Sequence, residues 1–309
     1  MICRGVAGVR WVVLTAVVGV VLSGLGGCAT TDDGPRFERP EIVPNYAQTA
    51  NRFNARVERL DRVWASTVVT IRTPKEHGGT RIDQAEGYLQ IEQPDKTSLS
   101  IMKLGETYFY LGSDEEGYWW LDLSDRDHKV ALYGLHAQAT PAIVAELGLP
   151  VHPQELLDLF ALTPLPGRKT AGAASSVVAP GTVDWDDQRG MLKVTVPAKW
   201  GTRAIWLDPV TMAPQRTELR DGRGRVRAAC DMARYTSVPV RGDGRVPPKM
   251  ASQYRVEFPA SQSRATIELY GTMNKPISSR AFDFQNLVES YGVDEVILLR
   301  PERAAAKRR

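Results

Sequence analysis

Residues 87–123 read GYLQIEQPDKTSLSIMKLGETYFYLGSDEEGYWWLDL, and the fold turns on how that stretch is cut. Apolar and polar side chains alternate with a period of two, the pattern of half-buried β-strands. Polar clusters with Pro, Gly or Asp interrupt it at PDK, LGE and DEEG. Cut there, the stretch gives strands at 87–93, 97–103, 107–113 and 118–124. The connections have hairpin length, so consecutive strands are antiparallel neighbours.

The same reading extends outward. STVVTIR (66–72) is an earlier strand, TPKEHGGTRIDQAE (73–86) a polar loop, and KVALYG (129–134) a later strand. Upstream, Tyr46, Ala50, Phe53, Val57, Leu60 and Trp64 recur at steps of three and four. They predict a helix that starts near Pro44-Asn45 and turns one apolar face to a core. Thr140-Pro141 opens a helix that Gly148 could end, and Pro153 opens PQELLDLFAL with Glu155 in its first turn. After the small-residue loop GRKTAGAASS come SVVAP, MLKVTVP, RAIWLD, QRTELRD, RVRAACDMARY, QYRVEFP and RATIELYG, all strand-like. FDFQNL reads as one short element and DEVILL as a last strand. The expected class is mainly β: one antiparallel sheet of ten or more strands with helices on one face. A sheet of that size must curl or close.

The 309 residues carry 39 Lys and Arg against 36 Asp and Glu, and two of the basic residues, Arg4 and Arg10, lie in the first 27. The remainder is close to neutral, which gives no electrostatic case for nucleic acid. MICRGVAGVR is short and basic, and WVVLTAVVGVVL after it has the length of a signal-peptide apolar region. Leu25-Gly26-Gly27-Cys28 resembles the lipobox of bacterial lipoproteins. That resemblance implies cleavage before Cys28 and acylation of its thiol and new amine, a membrane anchor of two or three chains. A single transmembrane anchor over Trp11–Thr31 is the alternative. Ala29, where inner-membrane lipoproteins often carry Asp, implies the outer membrane by the same resemblance. The expected organisation is a signal peptide over 1–27, lipidated Cys28 and a Pro/Gly-containing tether to 44, a folded domain over 45–300 and a basic tail over 301–309.

The strand order resembles the LolA/LolB-like lipoprotein-carrier family over roughly residues 45–300. The carriers of the resemblance are the early strands with their P-D-K turn, HPQELLDLFAL as a covering helix, and AIWLDPVTMAPQRTELRDGRGRV as a hairpin of the form W-L-D-P-x-T-x-x-P. The family implies an open, incomplete β-barrel with helices over its concave face. It also implies a hydrophobic cavity for acyl chains, lined here by Leu89, Ile91, Leu99, Ile101, Phe109, Leu111, Trp119, Leu121, Ile205 and Leu207. The same alternation equally describes side chains that fill an ordinary core. Anchored members carry an exposed leucine on a turn that helps pass lipoproteins into the membrane, and Leu104 in KLGET stands at the comparable place. Implied partners are acyl chains of lipoproteins or lipids, the membrane through Cys28, and a soluble periplasmic carrier.

No catalytic or metal-binding motif emerges. His77, His128, His136 and His152 are scattered without ligand spacing. DRDH (125–128), DWDDQRG (184–190) and RGD (241–243) read as turns, and Cys230 in a strand pattern as a buried small apolar residue. The expectation is a non-enzymatic lipoprotein, with no cofactor, acting in lipoprotein or lipid transfer. The alternatives are an RseB-like periplasmic lipid or peptide sensor and a structural envelope lipoprotein.

Overall fold

The computed structural model describes residues 37–75, 77–145, 151–167, 180–240 and 244–300. Cys28, the signal peptide, the RGD stretch and the basic tail fall outside them. The described chain is built on a single curved sheet. Its strands are β1 (Arg62–Pro74), β2 (Thr80–Glu92), β3 (Lys96–Lys103), β4 (Glu106–Ser113), β5 (Gly117–Asp122), β6 (Val130–Leu135), β7 (Thr182–Asp186), β8 (Met191–Ala198), β9 (Gly201–Leu207), β10 (Pro214–Asp221), β11 (Val226–Ser237), β12 (Lys249–Phe258), β13 (Ser263–Met273) and β14 (Glu295–Leu298). Two meanders, β1 to β6 and β7 to β13, join side by side where β1 pairs β13, with Val69 opposite Ile267. The outermost strands, β14 and β7, do not pair with each other, so the sheet is an open, incomplete barrel. Every neighbouring pair is antiparallel except β14 on β6, which is parallel.

The loop expected over 73–86 is mostly ladder. β1 and β2 pair out to Pro74 opposite Thr80, and Gly78 and Gly79 just before β2 are at positive φ. Beyond residue 72 this hairpin has both faces in solvent, so it lacks the apolar alternation by which a strand is recognised. The first helix, α1 (Tyr46–Val57), starts on an Asn45 capping box with Gln48 and tightens to a 3-10 turn over Glu58–Leu60. Trp64 therefore belongs to β1 and lies tilted against Tyr88, with ring centroids 5.6 Å apart.

Registers fix the two faces. Val63, Ala65, Thr67 and Val69 stand opposite Ile91, Leu89, Gly87 and Ala85, and on the other side of β2 Leu89 and Gly87 stand opposite Leu99 and Ile101 of β3. Gly87 is required there: a Cβ would lie 1.8 Å from the Ser100 carbonyl oxygen. On this inner face the side chains of both meanders form one buried cluster with Ala50, Phe53 and Val57 of α1 and with Leu156, Leu157 and Leu159 of α3 (Pro153–Leu159). The short α2 (Pro141–Val144) covers Tyr118, with Trp120 and Leu132 packed alongside. The outer face is largely solvated, except where α4 (Phe284–Tyr291) packs Leu287 on Tyr110, Trp119, Leu121 and Ala131.

Candidate functional site

Between the inner face and α3 the packing leaves a cavity of about 410 Å³. Strand side chains Val69, Ile71, Leu99, Ile101, Leu111 and Trp120 form one wall. Val256, Phe258, Ala265 and Ile267 form another, and Val151 and Leu156 close it from the helical side. Its polar lining is Thr73 near the end of β1, Ser263 and Arg264 at the start of β13, and Ser261 in the β12–β13 turn. The volume falls within the roughly 300–1,000 Å³ spanned by small-molecule sites, and the wall is apolar with few polar groups.

The sequence-expected lining divides into three groups. Leu99, Ile101 and Leu111 line the cavity. Leu89, Ile91, Ile205 and Leu207 are on the same inner face but are fully buried among α1, α3 and their strand neighbours, so they are core. Phe109 shares that face through its pairing with Ile101 and stacks on Trp120 at 5.2 Å without lining the cavity. Trp119 and Leu121 require a correction. The β4–β5 register sets Leu111 opposite Trp120 and Tyr110 opposite Leu121, so Trp119 and Leu121 point to the outer face, both 0 % exposed beneath α4. Trp120 takes the inner position.

Leu104 is 95 % exposed in the two-residue β3–β4 turn, with φ of 53° followed by Gly105 at 83°. β3 ends beside Glu86 of β2, which faces Val68 of β1, so the turn lies at the same end of the sheet as the polar cavity residues Thr73 and Ser263.

The helical cover is held by polar contacts that residue spacing did not reveal. At the C-terminal end of α3, Arg203 of β9 is 3 % exposed and donates to Asp158 Oδ1 at 2.6 Å and to the Thr163 and Pro164 carbonyls at 3.3 Å. At its N-terminal end Glu155 pairs with Arg227 of β11 and accepts from the His152 backbone N–H at 3.0 Å. His152 is the N-cap: its Nδ1 accepts from the Gln154 N–H at 3.1 Å. Its Nε2 lies 3.1 Å from His136 Nδ1, and His136 Nε2 lies 2.8 Å from the Asp114 carbonyl oxygen. Two histidines that look scattered in the sequence thus meet, and no spacing rule would have paired them. Burial pushes the His152 ring down to about 2, and Lys199 and His136 add to it. Burial also lowers His136. Cys230 is buried and free, and burial pushes its thiol up. Among the described residues no group of His, Cys, Asp and Glu could hold a metal ion, and no helix is long and apolar enough to cross a membrane.

No family model and no curated protein matches the sequence. Among solved structures the chain is similar to a DUF1329 family protein from Desulfovibrio piger at 14 % identity, covering 78 % of this chain and 97 % of that one with a TM-score of 0.43. It is similar to a LolA superfamily protein from Nitrosomonas europaea at 9 % identity, covering 79 % and 99 % with a TM-score of 0.46. It is also similar to the Pseudomonas aeruginosa MucA/MucB complex at 11 % identity, covering 73 % and 95 % with a TM-score of 0.22.

Proposed function

We propose that this chain is a non-enzymatic envelope lipoprotein, anchored in the outer membrane through acylated Cys28, that receives an acyl chain in its inner-face cavity and passes it to the bilayer. The observation that carries the reading is the cavity itself. A sheet face covered by helices ordinarily packs without voids, yet here about 410 Å³ stays open against Ile101, Leu111, Trp120 and Ile267. Each methylene moved there from water gains roughly 0.8 kcal/mol. The polar lining sits at one end of the cavity, which suits a ligand with an apolar tail and a polar head. The exposed Leu104 turn at that same end of the sheet supports a role in contacting the bilayer.

The test is extraction and mass spectrometry of lipid co-purifying with the full-length protein. Wild type carries an acyl lipid, and Ile101→Glu, a half-buried cavity position, loses it while keeping its circular dichroism spectrum. Absence of lipid from wild type, or undiminished lipid in the variant, refutes the reading. A sensor would instead co-purify with a membrane signalling protein.

A further inference from the structure

We propose that His136 and His152 form a proton-operated catch on α3: one proton taken up by the pair removes the helix's N-cap and loosens α3 over the cavity. The loosening stands on the geometry of the pair alone, while its consequence for a ligand rests on the cavity reading above.

The hydrogen bonds admit one proton arrangement. His152 Nδ1 faces the Gln154 N–H and must be the acceptor, so the ring's hydrogen is on Nε2, where it donates to His136 Nδ1. The His136 hydrogen is then on Nε2 and donates to the Asp114 carbonyl. Gln154 Nε2, 3.4 Å from that same nitrogen, donates to Asp95 Oδ1 at 3.1 Å. Both rings are neutral and all four ring nitrogens are used. An added proton has no place to go without breaking the cap. On His152 Nδ1 it sets one N–H against another. On His136 Nδ1 it meets the Nε2 hydrogen of His152, and relieving that clash moves the His152 hydrogen to Nδ1, which again opposes the Gln154 N–H.

The surroundings favour the neutral pair. From the β8–β9 turn, Lys199 Nζ donates to the His136 carbonyl at 3.0 Å, and Trp200 packs edge-on to His152 at 5.9 Å. From β5, Tyr118 lies 4.5 Å from the His152 ring and 5.8 Å from the His136 ring. On α3 the Glu155 carboxylate is committed to Arg227 of β11 and to the His152 backbone. Asp114 and Asp95 are the groups that favour a charged His136, and their pull is weaker than burial. A histidine whose folded form resists protonation stabilises the fold fully above its unfolded value near 6.5 and less as pH falls below that. The cap is therefore intact at pH 7.5 and weakens about tenfold per pH unit, per proton, below about 6.5. Val151 and Leu156 line the cavity on either side of the capped turn, so the weakening reaches the cavity wall.

The test is hydrogen–deuterium exchange of the full chain between pH 8 and 5, with protection factors corrected for intrinsic exchange. α3 amides lose protection below about pH 6.5, whereas His152→Asn, which supplies a non-titrating cap, shows a flat profile. A flat wild-type profile, or an unchanged slope in His152→Asn, overturns the catch. Should that variant fail to fold, nitrogen-15 spectra of the wild-type imidazoles decide: the Nε2–H forms must disappear together with α3 protection, and rings that protonate while α3 stays protected overturn it. Myristoyl-lysophosphatidylcholine, zwitterionic throughout this range, separates the two readings. If α3 loosens but this lysolipid never binds, the catch stands and the transport reading fails. If it binds and α3 protection does not depend on pH, the catch fails alone.

Discussion

Leu104 is held at φ of 53° at the tip of a two-residue turn and is 95 % exposed. Type I′ hairpin turns favour Asn-Gly there because a branched side chain strains the left-handed region. A leucine at this place costs the fold about 1 kcal/mol and gains nothing from packing, which fits the proposed contact with the bilayer. Leu104→Asn is expected to raise stability by about 1 kcal/mol, read as a higher urea midpoint. It should leave bound lipid unchanged and slow its delivery to vesicles. Unchanged delivery would make Leu104 an ordinary surface residue. The residue scale is also where sequence reading went furthest astray. The shared face of Leu99, Ile101 and Leu111 was legible from alternation, but in YWW both faces of β5 are buried, by α2 and α3 on one side and α4 on the other. Alternation then has no polar half to set its phase. The register would have served instead: a hairpin centred on Glu115–Glu116 pairs Leu111 with Trp120. Accordingly Leu121→Glu is expected to disrupt the α4 packing and destabilise the chain by more than about 3 kcal/mol, unlike Ile101→Glu at the cavity. Equal thermal stability of the two variants would contradict this assignment of faces.

At the scale of elements, α3 was visible in PQELLDLFAL, with Pro at its first position and Glu155 in its first turn, but what holds it was not. Its anchors come from Arg203, Arg227 and His136, on strands and loops distant in the chain, and such contacts leave no periodic trace. The β1–β2 hairpin beyond residue 72 was invisible for the opposite reason, since its ladder is purely backbone with solvent on both faces. The Arg203–Asp158 pair has one fully buried partner. Removing the guanidinium leaves Asp158 without its cation and the Thr163 and Pro164 carbonyls without a donor. Arg203→Ala is therefore expected to destabilise by about 3 kcal/mol, and the loss should appear first as exchange of the α3 amides. A variant as stable as wild type would show that apolar packing alone seats the helix.

At the scale of the molecule the sheet supports hydrophobic assemblies on both of its faces. The inner one contains the cavity and joins both meanders; the outer one is small and local, built from β4, β5 and β6 under α4. Phe284 is central to the second, with its ring 4.6 Å from Tyr133 and 5.6 Å from Trp119. The sequence marked FDFQNL only as a short element, because its partners lie on strands about 150 residues earlier in the chain. β14 follows α4 directly and is fixed to β6 by one parallel ladder, so the two should loosen together. Phe284→Ala is expected to weaken this unit by about 2 kcal/mol, seen as faster amide exchange throughout α4 and β14. Because these side chains stand on the face away from the cavity, α3 protection and lipid content should stay at wild-type levels. Loss of lipid in this variant would mean that the two faces are coupled through β5, whose Trp119 and Trp120 point into opposite assemblies.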